Sequence, residues 1–364
     1  MPLDNGAAAK QLRVMDRQGM GSRLLCGRRL VLWAAALLIA AAPAALRADD
    51  SQRLSVIEEN DSLFLDSDDH YTQGLRIGWL GPDVAPGSEW NEPFDLLGGV
   101  LPVFGAGEKE RSRRYALSFG QSFFTPSVIA VNPPDPRDRP YAGWLYLGAD
   151  LLQDTDRHML EHLELQVGVV GPAALGKQVQ RGWHEIIGAT NPQGWDSQLH
   201  NEPGIVLSYE RKWRFTLAGD RGTGVDVIPE LGGTVGNVFT YGEAGVMLRI
   251  GSNLQADYGP ARIRPALSGT DYFNRDYLDG DFGIYGFVGA QGRAVARNIF
   301  LDGNSFRSSA SVDKEPLVAD VQAGVSLFWR DGTRLDVSVV HRTEEFEHQH
   351  GADAFGIVSF GTSW

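Results

Sequence analysis

Long alternating segments constrain the fold of this chain more than any other feature of its sequence. In the segment 203–217, apolar residues such as Ile205 and Leu207 occupy every second position, with polar or small residues between them. The same alternation recurs at 241–251 and 317–330. Side chains alternate between the two faces of a strand, so each segment has one apolar and one polar face. The pattern predicts β-strands.

Alternation alone fits either a soluble β-sandwich or a membrane β-barrel, because the apolar face can meet a protein core or lipid. Three features favour the barrel. The segments run to about ten to fourteen residues, the length of a tilted spanning strand. Short turns alternate with longer connections, and aromatic residues cluster near strand ends as an interfacial girdle requires. These residues are Trp79, Trp144, Tyr146, Trp213, Phe239, Tyr241, Trp329 and Trp364.

The fold class is therefore all-β, an antiparallel transmembrane β-barrel of about twelve strands, an even number that leaves both termini on the periplasmic side. The predicted strands are 51–61, 70–80, 112–123, 141–153, 158–170, 203–217, 223–236, 241–251, 281–293, 317–330, 332–343 and 353–364. Connections 61–70, 124–140, 171–202, 237–240, 294–316 and 344–352 are then extracellular. Two periplasmic connections, 81–111 and 252–280, are long for such turns.

The N-terminal sequence predicts export. Basic residues precede an apolar run from Leu30 to Leu46, and Ala48 provides a small residue for cleavage. We therefore expect residues 1–48 to be a secretory signal peptide and 49–364 to be the outer-membrane barrel domain. The only cysteine, Cys26, falls in the leader, so the exported chain is expected to lack disulfides and a cysteine nucleophile.

The charge of the chain argues against nucleic acid as a partner. Its formal net charge is −13 at pH 7, and loss of the basic leader makes it more negative. A nucleic-acid-binding protein needs a basic surface, whereas an acidic one suits a cation-rich setting.

One predicted outer loop departs from the β pattern. Leu175, Val179, Trp183 and Ile186 follow helical spacing up to Gly188, which predicts a short helix in this extracellular loop. The helix carries His184, the residue type best suited to proton transfer near neutral pH. A packed or solvated histidine without a catalytic role is the alternative interpretation.

The segment Ile57–Gly74 concentrates acidic residues between two predicted strands. Asn60 and Asp61 lie at the outer end of the first strand, and Thr72 begins the second, on the inward face with Arg76. Carboxylate, amide and hydroxyl oxygens are ligands that Ca²⁺ takes, although the spacing is not that of an EF-hand. A solvated loop whose aspartates cap turns is the alternative.

Several short motifs, taken in order, resemble the lipid A 3′-O-deacylase family of Gram-negative outer membranes. They are Glu59-Asn60-Asp61, Tyr71-Thr72-Gln73-Gly74-Leu75-Arg76, Pro140-Tyr141-Ala142-Gly143-Trp144, Trp183-His184, Pro192-Gln193-Gly194-Trp195-Asp196, Gln198-Leu199-His200-Asn201-Glu202 and Asn298-Ile299-Phe300-Leu301-Asp302-Gly303-Asn304. The resemblance implies a twelve-stranded barrel with a Ca²⁺-dependent esterase site at its extracellular face, between the wall and a loop helix. It also implies lipid A as substrate and a monomer folded by the barrel assembly machinery.

The resemblance also implies roles for individual residues. His184 matches a general base that activates water, Asn60 and Asp61 match a metal-binding pair, and Thr72 matches a hydroxyl that positions metal or substrate. An acidic ligand beyond the histidine is expected at Glu202. Asp196 and Glu185 are its alternatives.

Two other functions are compatible with parts of the sequence. An outer-membrane phospholipase would use a serine beside a histidine, but its His-x-Ser-Asn-Gly arrangement does not occur in this sequence. A non-enzymatic barrel, such as a porin, adhesin or scaffold, explains the strands without explaining why Asn60, Asp61, Thr72 and His184 fall at one end.

Overall fold

The computed structural model describes residues 52–63, 70–104, 111–156, 158–219, 222–266 and 271–364. The predicted signal peptide lies outside these residues. The strands are β1 (Arg53–Asn60), β2 (His70–Leu80), β3 (Arg111–Thr125), β4 (Ala142–Thr155), β5 (Met159–Val170), β6 (Glu202–Trp213), β7 (Phe215–Gly219), β8 (Thr223–Gly236), β9 (Phe239–Ser252), β10 (Phe282–Asn298), β11 (Leu317–Trp329), β12 (Arg334–Arg342) and β13 (Asp353–Ser363). The α-helices in the described ranges are α1 (Glu92–Val100), α2 (Gly176–Ile187) and α3 (Ile299–Asp302).

The strands form one closed antiparallel sheet. β1 pairs with β2 on one side and with β13 on the other, and β8 returns to pair with β6. β6 and β7 are separated only by Arg214 and both pair with β8, so they form a single spanning strand. The result is a closed barrel of twelve strands. The predicted fold class is confirmed.

The connections divide between two ends of the barrel. The end that carries Arg53 and Ser363 is called the terminal end, and the opposite one the loop end. All six connections predicted to be extracellular lie at the loop end, as the strand bounds require. The long connection 81–111 at the terminal end contains α1. None of the helices in the described ranges is long and apolar enough to cross a membrane.

The second long connection, 252–280, turns back into the barrel. Asp257, Arg262 and Arg264 of this segment are buried among the inward side chains of the strands. Arg264 lies 2.6 Å from Glu164 and 3.4 Å from Glu210 in its closest contacts, joining the segment to β5 and β6. Arg262 similarly reaches Asp320 of β11 at 3.1 Å. We call the described residues 253–266 and 271–279 the lumen segment.

The two faces of the wall differ as a membrane barrel requires. Exposed apolar residues such as Phe119 and Leu147 alternate with buried polar ones such as Ser118 and Asp150. Apolar residues on the outside meet lipid, and charged residues inside are paired with one another. Four exposed or half-buried tryptophans of the wall and the C-terminus lie near the terminal end and form an aromatic belt there: Trp79, Trp213, Trp329 and Trp364.

The prediction of an aromatic belt was wrong at the loop end. Trp144, Tyr146, Phe239 and Tyr241 are buried in one apolar cluster together with Phe300 of α3. They lie on the inward parity of β4 and β9, where α3 and neighbouring side chains cover them. A tryptophan near a strand end looks the same in sequence whether it faces lipid or a folded loop.

Loss of the Arg264 guanidinium should weaken the barrel. Arg264→Ala would leave the carboxylates of Glu164 and Glu210 buried without this counter-charge, which costs about 3–5 kcal/mol for buried pairs. We expect a lower urea midpoint in vesicles, measured by the gel migration of folded barrel. Arg137→Ala is the matched control, because Arg137 pairs with Asp135 on the exposed surface. Equal midpoints for both variants would contradict a supporting role for the lumen segment.

Candidate active site on the outside of the barrel wall

Helix α2 lies against the outside of the barrel at the loop end. Phe123 and Gln121 of β3 belong to the outward parity, and Gln121 donates a hydrogen bond to the carbonyl of Ala174 at 2.6 Å. Gly176, the first residue of α2, approaches so closely that an added Cβ would lie 3.3 Å from the Cβ of Phe123. On β4, a Cβ at Gly143 would lie 3.1 Å from Ala174. The helix therefore covers an outward patch of β3 and β4, and the predicted short helix in the connection 171–202 is confirmed.

The local sequence explains where the helix stops and what it buries. Gly188 adopts a left-handed conformation with φ of 71°, and its N–H bonds to the carbonyl of His184. Glycine takes this conformation without strain, which ends the helix. The buried residues of α2 are Gly176, Gln180 and His184, spaced four apart on one face. The face turned to the protein is thus its polar one.

The imidazole of His184 is held in one tautomer. Its side chain is only 5% exposed, and Nδ1 lies 2.5 Å from the carbonyl oxygen of Thr190. A carbonyl oxygen can only accept a hydrogen bond, so Nδ1 carries the proton and donates it. In the neutral ring, Nε2 then has the lone pair. This is the arrangement that a general base needs.

Gln180 was missed in the sequence analysis. Its Oε1 accepts a hydrogen bond of 2.7 Å from Nε1 of Trp195, and its buried Nε2 has no hydrogen-bond partner among the described residues. A buried amide N–H without a partner is costly, so it marks a place where a ligand oxygen would be stabilised. The available signal was its position four residues before His184 on the same helix face.

Asn60 and Asp61 stand where the first strand ends. The Asn60 Oδ1 accepts hydrogen bonds from the backbone N–H of Ser62 at 2.8 Å and from its hydroxyl at 2.6 Å. This short-range turn fixes the backbone immediately beyond β1. Asp61 follows at the turn, and its side chain is 2% exposed. The Asn60 side chain thus stabilises the turn that positions Asp61 at the loop end of the wall.

Thr72 does not face the lumen in line with Arg76, as was predicted. A register shift between Tyr71 and Gln73 places the extra residue, Thr72, in a β-bulge. Tyr71 takes the inward position instead and donates a hydrogen bond to Glu59 at 3.0 Å. The Thr72 hydroxyl lies 2.7 Å from that of Thr125, the last residue of β3. Strict alternation cannot foresee a bulge, which reverses the facing of every residue beyond it.

Polar side chains interrupt the lipid-facing side of the wall close to α2. On β1, the side chains of Glu58 and Asn60 point outward, as those of Leu54 and Val56 do. Gln73 of β2 also points outward. The Glu58 carboxyl is hydrogen-bonded by Gln73. Polar groups on the lipid side of a barrel are destabilising, so a cluster at this position points to a function. We call Glu58, Asn60, Gln73 and Gln121 the wall patch.

Glu202 lies apart from the wall patch. It begins β6, three strands away from β3 in the sheet. Its Oε2 accepts hydrogen bonds from the Asn304 side chain at 3.1 Å and from the Ser305 backbone at 2.8 Å, and its Oε1 accepts one from Asn237. Its metal-ligand role stays a prediction, while these contacts tie the loop after α3 to the barrel.

Asp196 and Glu185, the two predicted alternatives to Glu202, lie on the surface of the connection that carries α2. Asp196 pairs with Lys177 of α2 at 2.5 Å and is largely exposed. Glu185 follows His184 directly and is exposed. Both carboxylates therefore face solvent, outside the buried face of α2.

The oxygen donors at the loop end fit Ca²⁺ in chemical type. Asp61 supplies a carboxylate, Asn60 an amide and Thr72 a hydroxyl, all hard oxygen ligands. The Asp61 carboxylate is buried at the loop end. These residues therefore suit a divalent cation.

A different group of possible metal ligands occurs inside the barrel. Within the described ranges, Asp150, His162 and Glu164 bring ligand atoms within 4.8 Å of one another. His162 Nε2 lies 2.6 Å from Asp150, and Glu164 is paired with Arg264. These ion pairs account for the cluster as part of the contact with the lumen segment, separate from α2.

A closed antiparallel barrel with an apolar outer wall and a charged interior is typical of outer-membrane β-barrel proteins. The chain matches the family model described as "Outer membrane protein LpxR" over residues 30–364. It therefore belongs to the LpxR family and to the outer membrane. No curated protein matches its sequence significantly.

A solved structure shares this fold. LpxR from Salmonella typhimurium aligns with a TM-score of 0.68 and 19% identity, covering 86% of this chain and 100% of that one. The β domain of the Bordetella autotransporter BrkA aligns with a TM-score of 0.43 and 10% identity, covering 86% and 98%. At 19% identity, the match to LpxR from Salmonella typhimurium shows a shared fold alone.

A methyl group at Gly176 should lift α2 from the wall. The Cβ of Gly176→Ala would lie 2.6 Å from the Trp195 ring, while a Cβ at Gly182 of the same helix would meet nothing within 4 Å. We expect trypsin to cut at Lys177 and Arg181 faster in Gly176→Ala than in Gly182→Ala, with both barrels folded by gel migration. Equal cleavage rates would show that close packing at Gly176 does not hold the helix.

Proposed function

We propose that this protein is a Ca²⁺-dependent carboxylic ester hydrolase that removes the 3′-linked acyloxyacyl group from lipid A in the outer leaflet. The observation that carries the proposal is the buried His184, held in one tautomer on a helix against the lipid-facing wall. Membership of the LpxR family supports a lipid A deacylase. The proposal places the loop end at the extracellular face and treats the protein as a monomer folded by the barrel assembly machinery.

His184 would take the proton from the attacking water. The Thr190 carbonyl leaves Nε2 as the basic nitrogen, and it also stabilises the imidazolium that forms as the proton arrives. The same proton is then available for the departing alkoxide. Water rather than a side chain is the nucleophile in this scheme, which agrees with the absence of cysteine after Cys26.

The developing negative charge on the ester oxygen requires stabilisation. Asp61, presented by the Asn60 turn, and Thr72 would hold Ca²⁺. Glu202 is not part of this set, because it begins β6, four strands from β2 in the sheet. When bound, Ca²⁺ supplies the positive charge that stabilises an oxyanion. The Nε2 of Gln180, on the buried face with His184, is a second donor for the same oxygen.

The location of the site suits a lipid substrate. His184, Gln180 and the wall patch lie on the outside of the barrel, where a lipid diffusing in the leaflet meets them without entering the lumen. The lumen itself is occupied by Arg262, Arg264 and their partners, which gives no support to a porin. A polar wall patch would have no purpose in a passive scaffold, because it weakens the contact with lipid.

The proposal predicts a defined change in lipid A. Cells producing the unmodified chain should lose the mass of one 3′-linked acyloxyacyl group from lipid A with Ca²⁺ present, and a chelator should prevent the loss. His184→Gln should reduce the loss by about 10²-fold or more, because general-base catalysis contributes this much. The measurement is mass spectrometry of extracted lipid A.

Glu185→Gln is the matched control, since its exposed side chain neighbours His184 without sharing the buried face. It should process lipid A as the unmodified chain does. Unchanged lipid A in cells that contain the folded wild-type protein would contradict the proposal. Release of fatty acid from phospholipids with intact lipid A would instead identify a phospholipase.

A further inference from the structure

The exposed side of α2 divides into an apolar and a charged part. Val179 is 36% exposed and Ile186 62% exposed, and Trp183 is half-buried between them. At 3.6 residues per turn these three form one stripe beside the buried face of Gln180 and His184. Leu175, just before the helix, extends the stripe and is 46% exposed. We call Leu175, Val179, Trp183 and Ile186 the apolar stripe.

Charged residues lie on the other side of the buried face. Lys177, Arg181 and Glu185 are spaced four apart and form a separate stripe. Lys177 pairs there with Asp196, and Arg181 bonds to the carbonyl of Pro192 at 3.2 Å. The helix therefore has three sides: one packed on the wall, one charged, and one apolar side that the described part of the chain leaves exposed.

The wall beside α2 is apolar and exposed. A Cβ at Gly143 of β4 would lie 3.5 Å from the backbone nitrogen of Gly176, the first residue of α2. Leu147, four residues further along the outward face of the same strand, is 65% exposed. On β3, Phe119 lies two residues from Gln121, which bonds to Ala174, and it is 43% exposed. These leucine and phenylalanine side chains are in the lipid-facing band of an outer-membrane barrel. The apolar stripe thus lies next to a surface that hydrocarbon covers.

We propose that α2 lies in the membrane interface, with the apolar stripe in the hydrocarbon of the leaflet and Lys177, Arg181 and Glu185 at the polar surface. A helix with separated apolar and charged sides takes this orientation at a bilayer, and a half-buried tryptophan is typical of the boundary. The partner of this surface is acyl-chain hydrocarbon. In this position the proposed hydrolase site beside α2 faces the lipid from the side, a consequence that rests on the proposed function.

The proposal is tested with a spin label in a chain whose only cysteine has been removed by Cys26→Ser. Ile186→Cys is labelled with a nitroxide, and the protein is reconstituted in dioleoylphosphatidylcholine vesicles. Collision with oxygen, which concentrates in hydrocarbon, is compared with collision with a water-soluble nickel chelate. We expect Ile186→Cys to favour oxygen as strongly as Leu147→Cys on the wall. Glu185→Cys, the adjacent residue on α2, should favour nickel.

Val179→Cys provides a second position on the same stripe and should agree with Ile186→Cys. Nickel preference at either position in a barrel that migrates as folded would overturn the proposal. The collision measurement requires no substrate, so it distinguishes failure of membrane insertion from failure of the hydrolase. An inactive enzyme with oxygen-accessible stripe positions would leave the membrane contact established and remove only the proposed activity.

Discussion

Closure of the sheet through β1 and β13 is the constraint on which the rest of the structure depends. Eight residues of β1, from Arg53 to Asn60, pair with β13 on one side, so no backbone edge is left open to lipid there. Closure fixes which face of each strand is turned to the lumen, and the pairing of β1 with β2 places Asn60 opposite Gln73 at the loop end. The lumen segment then fills the interior, where Arg264 joins carboxylates of neighbouring strands.

The same constraint explains why the candidate site is outside the barrel. Among the described residues, inward positions are occupied by ion pairs and by the apolar cluster that includes Phe300. Helix α2 packs against the outward side of β3, and the wall patch provides polar groups beside it. A reaction on a membrane lipid benefits from this arrangement, because the substrate can approach without leaving the leaflet.

Sequence periodicity predicted the strands and α2 because both are repeating patterns that the hydrophobic effect enforces. It did not predict the bulge at Thr72, because one inserted residue leaves no mark in composition. It also could not distinguish Trp144 facing a folded loop from a tryptophan facing lipid. Gln180 and Glu58 were overlooked as site residues for a related reason: each is an ordinary polar residue until the helix or the wall gives it a buried or lipid-facing position.

The most direct measurement compares stability and activity in the variant with Glu58→Leu and Gln73→Leu. Both side chains face lipid and are hydrogen-bonded to each other, so their replacement by leucine should suit the hydrocarbon better. If the outer wall forms part of the hydrolase, the urea midpoint should rise while lipid A deacylation falls. A lower midpoint, or unchanged deacylation in a stabilised barrel, would contradict a functional role for the wall patch.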